Sequence, residues 1–94
     1  MHVVVGGWEM DPSQAGDRRA TLEGIVSNVK QIPGLVKGYW TGGPMQERSY
    51  TFIVFSGRTQ AEAFAADVRG NAENQASNGV RNLSLDVHEI VAQT

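Results

Sequence analysis

Asp86 and His88 are the residue pair in this chain whose types and spacing best suit acid–base chemistry. They lie two residues apart in the segment 80–92, where apolar and polar residues alternate, so on a β-strand they share one face. There the carboxylate can orient or charge the imidazole, and His88 can act as a general base toward a bound substrate. We therefore predict His88 and Asp86 as catalytic residues. The alternative is the polar face of an edge strand, where such alternation occurs without catalysis.

The two histidines also raise the question of a metal site. If the first strand lies antiparallel to the last, His2 approaches His88, with Asp86 or Glu89 nearby. Two histidines and a carboxylate form a ligand set for Fe(II). A complete ligand count does not follow from these residues, however, and we predict no metal site. The chain has no cysteine, which excludes disulfides and thiolate-bound metals.

Aromatic residues offer a second kind of site. Large aromatic side chains line pockets for planar ligands, but they are also enriched at subunit interfaces, and the sequence leaves both alternatives open. The predicted substrate-binding residues are Trp8, Tyr39, Trp40, Arg48, Tyr50 and Phe64.

Other classes of function lack their signatures. No Ser/His/Asp spacing occurs, and the Gly-rich segment 41–44 lacks the lysine of a phosphate-binding loop. The basic residues are scattered, with a single adjacent pair at Arg18 and Arg19, and the net charge is −2. This distribution predicts no nucleic-acid partner. The N-terminal segment lacks the features of a signal peptide and no stretch resembles a membrane span, so we expect a cytoplasmic protein without a membrane partner.

Two helices must position these residues. The first is predicted to begin at 11–14 and to end at Pro33-Gly34, with an apolar stripe at helical spacing. The second is predicted to begin with a capping box at Thr59 and Glu62 and to end at Asn78-Gly79. Its apolar stripe is rich in alanine, so this helix can approach a sheet closely.

Four strands are predicted at 2–8, 35–41, 48–56 and 80–92. The order strand, helix, strand, strand, helix, strand predicts a single α+β domain over residues 1–94, with a ferredoxin-like βαββαβ fold. Right-handed crossovers place both helices on one face of a four-stranded antiparallel sheet, with the first and third strands in the centre. Gly6 and Gly7 interrupt the first strand and indicate either a β-bulge or close approach of a ligand or helix.

The segment 48–56 predicts a homodimer, because it is apolar on both faces. Tyr50, Phe52 and Val54 share one face, and Ile53 and Phe55 share the other. Two helices can cover only one of these faces. At about 25 cal/mol per Å², a few hundred Å² of exposed apolar surface forfeits several kcal/mol, which is comparable to the whole stability of so small a domain. A second copy of the chain is the simplest cover.

This chain resembles the antibiotic-biosynthesis-monooxygenase-like group of the dimeric α/β-barrel superfamily. The resemblance rests on the element order, on 33–35 (Pro-Gly-Leu) followed by 38–40 (Gly-Tyr-Trp), and on Phe55-Ser56 leading into the helix at Thr59. It implies a homodimer whose two sheets close into a barrel, with a ligand cavity between helices and sheet in each subunit. Some members of this group oxidise aromatic polyketides with oxygen and no bound cofactor, others open haem, and many have no established activity.

The haem-degrading branch carries an Asn on the first strand and a Trp and an axial His on or after the second helix. Here the first strand offers Val and Gly, and 59–78 contains neither Trp nor His, which disfavours haem degradation. The resemblance implies a cofactor-independent monooxygenase-like protein that acts on a small apolar or aromatic metabolite. The alternative is a non-catalytic homodimeric domain that binds a small molecule or has a stress-related role.

Overall fold

The computed structural model describes residues 1–11, 18–42, 47–77 and 79–94. Within these ranges the elements are β1 (His2–Met10), α1 (Arg18–Val29), β2 (Leu35–Trp40), β3 (Arg48–Phe55), α2 (Arg58–Gly70), α3 (Ala72–Ser77) and β4 (Val80–Glu89). The predicted order is confirmed, except that the second helical segment is divided in two at Asn71. Among the helices of the described ranges, none combines the length and apolar character that crossing a membrane requires.

The sheet has the order β2-β3-β1-β4, and all neighbouring strands are antiparallel. The first and third strands are therefore central, as predicted, and the fold is α+β and ferredoxin-like. Val4 of β1 lies opposite Ile53 of β3 on one side and opposite Val87 of β4 on the other. This register carries apolar residues across the middle of the sheet and forms the floor of the core.

The core lies between the sheet and α2. Phe55 is fully buried and its ring lies 5.3 Å from that of Phe64. Ala61 and Ala65 of α2 are also fully buried, so the small side chains bring this helix close to the sheet, as its alanine-rich stripe predicts. In the described part of α1 only Val29 is buried. The helix-covered face of the sheet is therefore sealed mainly by α2.

The helix ends differ in part from prediction. The capping box at Thr59 is wrong: α2 begins at Arg58, Gly57 is its N-cap, and no side chain caps it. Because the helix starts earlier, Glu62 binds Arg58 instead, at 2.9 Å. Gly79 adopts the predicted left-handed conformation with φ 75°. Of the helix start predicted at 11–14, residues 12–14 lie outside the described residues, as do the turn residues 43–46 and Asn78.

The strand ends also differ from prediction. β4 stops at Glu89 rather than at 92, and β1 continues to Met10. The pairing of β1 with β4 shifts between Gly7 and Trp8, which confirms a β-bulge at the glycine pair. Because Ser84 lies opposite Gly7 and Asn82 lies opposite Trp8, Leu83 is the extra residue of the bulge.

Candidate functional site

Three of the predicted site residues lie on the face of the sheet that α2 covers. Trp8 is paired with Ser49 and Trp40 with Thr51, and both belong to the same side of the sheet as the buried Phe55. Phe64 reaches this side from α2. We call this side the helix face.

The other five predicted site residues lie on the opposite side of the sheet, which we call the open face. They are Tyr39, Arg48, Tyr50, Asp86 and His88, which occupy alternate strand positions to those of the helix face. Asp86 and His88 do share a face, as their spacing predicts, and both are exposed. The sheet itself separates them from Trp8. A single pocket lined by Trp8, Tyr50 and His88 is therefore not formed within one subunit.

The same alternation separates the two histidines. His2 is paired with Glu89, and His88 is paired with Val3, the neighbour of His2, so the imidazoles lie on opposite faces. Within the ranges that the structure describes, no three histidine, aspartate or glutamate side chains come together as metal ligands. The approach of His2 to His88 that the antiparallel pairing suggested does not occur.

Trp8 and Trp40 form an aromatic wall on the helix face. The indole Nε1–H of Trp8 donates to Thr51 Oγ1 at 3.0 Å, and the ring lies over Gly6. A Cβ at Gly6 would be only 2.7 Å from that nitrogen. The Trp40 ring lies over Gly38 in the same way. These glycines are needed because an indole, rather than a ligand, approaches the backbone.

An open groove of about 790 Å³ lies between α2, α3 and the end of the sheet formed by β1 and β4. Its described lining consists of Glu9, Met10, Asp11, Glu47, Val68, Arg69, Ala72, Gln75, Ala76, Gly79, Val80, Arg81 and Asn82. None of the eight predicted site residues belongs to this lining. Two of them adjoin it: the strand partner of Trp8, Asn82, lines the groove, and Arg48 lies 3.9 Å from the lining residue Glu9.

Hydrogen bonds to backbone carbonyls fix three polar side chains of the groove. Arg69 Nη2 donates to the Leu85 oxygen at 2.9 Å, and Gln75 Nε2 donates to the Val68 oxygen at 3.0 Å. Asn82 Nδ2 donates to the carbonyl oxygens of Gly7, at 3.1 Å, and Ser84, at 2.8 Å, and so joins the two strands at the bulge. The groove thus has preformed polar groups beside an apolar floor, as ligand sites usually do.

The lining of the groove carries charges of both signs, and Glu9 and Arg81 face each other as strand partners. Carboxylates come from Glu9, Asp11 and Glu47, at the end of β1 and just before β3. Guanidinium groups come from Arg69, held over β4, and from Arg81 of β4 itself. In the sequence Arg69 is indistinguishable from any outward-facing charge on an amphipathic helix, which is why the sequence did not identify it.

The open face carries exposed apolar side chains that no described element of the subunit covers. Tyr39 and Tyr50 are each 50% exposed and Phe52 is 37% exposed, although all three lie in strands. Ile53, in contrast, is buried on the helix face and does not belong to this patch. Aromatic and valine side chains make up the apolar patch instead.

Comparison with known proteins finds similarity in structure rather than in sequence. No family model matches the sequence, and no curated protein matches it significantly. A Deinococcus radiodurans protein assigned as an antibiotic biosynthesis monooxygenase superposes with a TM-score of 0.80 at 14% identity, over 100% of this chain and 96% of that one. SnoaB from Streptomyces nogalater, a cofactor-independent oxygenase, superposes with a TM-score of 0.75 at 8% identity, over 98% and 94% of the two chains.

A third similar structure is MhuD from Mycobacterium tuberculosis, a heme-degrading protein solved with two hemes bound in its active site. Its TM-score is 0.72 at 15% identity, with 100% of this chain and 99% of that chain covered. These superpositions span whole chains, so the chain has the fold of the antibiotic biosynthesis monooxygenase-like proteins. The low identities limit the finding to the fold.

Proposed function

We propose that this protein is a homodimer that binds a small apolar or aromatic metabolite in the groove and oxidises it with oxygen, without a bound cofactor. One observation carries the proposal. A groove of about 790 Å³, within the usual size range of small-molecule sites, lies between helices and sheet on a fold shared with a cofactor-independent oxygenase. We also propose a cytoplasmic location, with which the absence of cysteine is consistent.

The chemistry requires a substrate that forms a stable anion, such as an anthrone or a quinol. A base removes the substrate proton, and the anion gives electrons to oxygen. With an anthrone, one oxygen atom forms a carbonyl group on the methylene carbon. The other oxygen atom leaves as water, together with the two hydrogens of that methylene group. The groove offers Glu9 and Glu47 as proton acceptors and Arg69 as a cation that stabilises the anion.

His88 and Asp86 have a different place in this proposal. They lie on the open face, so they face the partner in a dimer formed through that face rather than the groove of their own subunit. They remain candidate catalytic residues only for a site that two subunits form together. Replacing His88 with alanine therefore tests a composite site separately from the groove.

The homodimer is supported by the exposed apolar side chains of the open face. Tyr39 of β2 is paired with Phe52 of β3, and Tyr50 lies two residues before Phe52 on the same face, so the three side chains are neighbours. Each exposed aromatic side chain forfeits part of its hydrophobic stabilisation, at about 25 cal/mol per Å², and a second copy restores it. The partner in this proposal is therefore another molecule of the same chain.

Heme does not fit the residues of this groove. The described lining of the groove contains no histidine, cysteine or tyrosine that could bind the iron, and Met10, its one thioether, lacks the histidine that accompanies a methionine ligand. His2 and His88 lie in strands and neither lines the groove. We therefore derive no step through heme for this chain.

A non-catalytic binding protein is the second candidate. The described lining of the groove contains no histidine, cysteine, serine or tyrosine, so its only candidate bases are exposed or half-buried carboxylates. A binding protein needs the apolar floor and the fixed polar groups but no base. This reading predicts ligand binding without oxygen consumption.

Oxygen uptake with anthrone and hydroquinone tests the proposal. We expect uptake by the wild type, with about one oxygen molecule consumed per anthrone, and loss of uptake in Ala72→Trp, which fills the groove. Ala66→Trp, at an exposed position of α2 outside the groove, is the matched control and should retain uptake. Trp8→Phe then tests whether oxygen uptake requires the Trp8 indole, and His88→Ala tests whether it requires the imidazole on the open face. No uptake across this panel would contradict catalysis.

A further inference from the structure

The charges of the groove define its ligand more narrowly. Resting on the function proposed above, we infer that the groove selects an aromatic ligand that carries a carboxylate, and that Arg69 recognises this group. The proposal depends on two features of the groove: a fixed guanidinium and an apolar floor.

The Arg69 guanidinium is held in place by a hydrogen bond but has no ion-pair partner among the described residues. One of its N–H groups is held by the Leu85 carbonyl oxygen at 2.9 Å, which fixes the guanidinium over β4 and leaves its other donors free for a ligand. Among the described residues, no carboxylate lies within 4.0 Å of Arg69. A planar guanidinium binds a carboxylate through two parallel hydrogen bonds, and such bonds are stronger than those between neutral groups.

Arg81, the other arginine of the lining, occupies an open-face position of the register, together with Glu9 and Arg48. It too has no carboxylate within 4.0 Å in the described part of the chain, because its strand partner Glu9 lies closer to Arg48, at 3.9 Å. Glu9 and Asp11 lie beside β4 as well, because Glu9 is paired with Arg81 and the Asp11 amide donates to the Gly79 oxygen at 2.8 Å. Arg69, which its hydrogen bond fixes beneath α2 and which has no carboxylate within 4.0 Å in the described ranges, is therefore the group that receives the ligand carboxylate.

The floor favours an aromatic ring as the body of the ligand. Val68, Ala72, Ala76 and Val80 supply apolar surface with short side chains, which leaves room for a flat, rigid group. A sugar or an aliphatic polyol would leave its hydroxyl groups without partners against this surface, at a cost in free energy. A fused aromatic carboxylate satisfies both parts of the groove.

Binding of 2-naphthoate and 2-naphthamide tests this inference, because the two probes have the same shape and differ in charge. By isothermal titration calorimetry at low salt, we expect the wild type to bind naphthoate at least about tenfold more tightly. Arg69→Gln should reduce this preference to about twofold or less, and Arg69→Lys should recover part of it. Arg58→Gln is the matched control, because Arg58 lies on the same helix, pairs with Glu62 and does not line the groove.

Equal affinities in the wild type, a preference retained in Arg69→Gln, or no binding of either probe would overturn the inference. Its failure can be told apart from failure of the proposed oxidation. Oxygen uptake with neutral anthrone and no preference for naphthoate would refute the inference alone. A preference for naphthoate that depends on Arg69, without oxygen uptake from any substrate, would refute the oxidation alone.

Discussion

The two faces of one sheet have similar sequences and opposite surroundings. On β3, Ile53 is 2% exposed on the helix face, and its neighbour Phe52 is 37% exposed on the open face. Both are large and apolar, so composition does not distinguish the faces. The difference is that α2 covers one face and no described element covers the other. The helix face is complete in one subunit, whereas the open face needs a partner.

The largest effect is expected from the centre of the helix face. Phe55→Ala removes a fully buried ring packed against Phe64, and we expect it to lower the free energy of unfolding by about 3–5 kcal/mol. Urea denaturation followed by circular dichroism measures this change. If the variant is too unstable to fold, Phe55→Leu gives a smaller loss on the same scale. A loss below about 1 kcal/mol for Phe55→Ala would show that this face is not the core.

Substitutions on the open face should weaken dimerisation rather than lower the stability of the folded subunit. Phe52→Glu places a charge in the apolar patch, and we expect the dimer to dissociate at least about tenfold more readily, because the charge must be buried to re-form the contact. Sedimentation equilibrium at micromolar concentration should give a species of 10.2 kDa for the variant and twice that mass for the wild type.

Val91→Glu provides the control for that experiment, since Val91 is exposed beyond the end of β4 and should leave the dimer intact. Circular dichroism confirms that Phe52→Glu remains folded. A monomeric wild type, or a Phe52→Glu variant that still forms the dimer, would contradict the proposed role of the open face.

The adjacent glycines of β1 offer a more local comparison of the two faces. A Cβ at Gly6 meets the Trp8 indole at 2.7 Å and Thr51 Oγ1 at 2.8 Å, so Gly6→Ala should cost about 1–3 kcal/mol and disturb tryptophan fluorescence. A Cβ at Gly7 meets Ser84 Oγ at 2.7 Å, but this hydroxyl can rotate away, so Gly7→Ala should cost less. Thermal unfolding compares the two variants. Equal losses would mean that the indole is not tightly held.

The smallest effect is expected from α1. Ile25 is 43% exposed although it belongs to the apolar stripe of this helix, so Ile25→Ala should lower the free energy of unfolding by only about 1 kcal/mol. Chemical denaturation of this variant beside Phe55→Ala compares the packing of α1 with that of the core beneath α2. A loss of several kcal/mol would show that α1 seals the helix face as firmly as α2.

The sequence was sufficient to predict the strand order, because two central strands must be the most apolar ones and 2–8 and 48–56 are. It also indicated a β-bulge at Gly6-Gly7 as one of two alternatives, and the register confirms that one. It did not reveal the division of α2 from α3 at Asn71, where no proline interrupts the apolar stripe. The site was harder to predict, because Trp8 and Tyr50 belong to different strands and only the register shows that they face opposite ways. The groove combines residues from four elements, and no local spacing identifies such a set.

The bulge beside Gly7 gives β4 a tolerance to changes in length. Leu83 is the additional residue, and Asn82 remains opposite Trp8 while Leu85 remains opposite Gly6. Deleting Leu83 would therefore leave a regular ladder in which no other side chain changes sides. Deleting Asp86, by contrast, would move the side chains that precede or follow it to the opposite face of the sheet. The half of β4 that borders the groove can thus gain or lose a residue in evolution while the half that packs in the core stays in register.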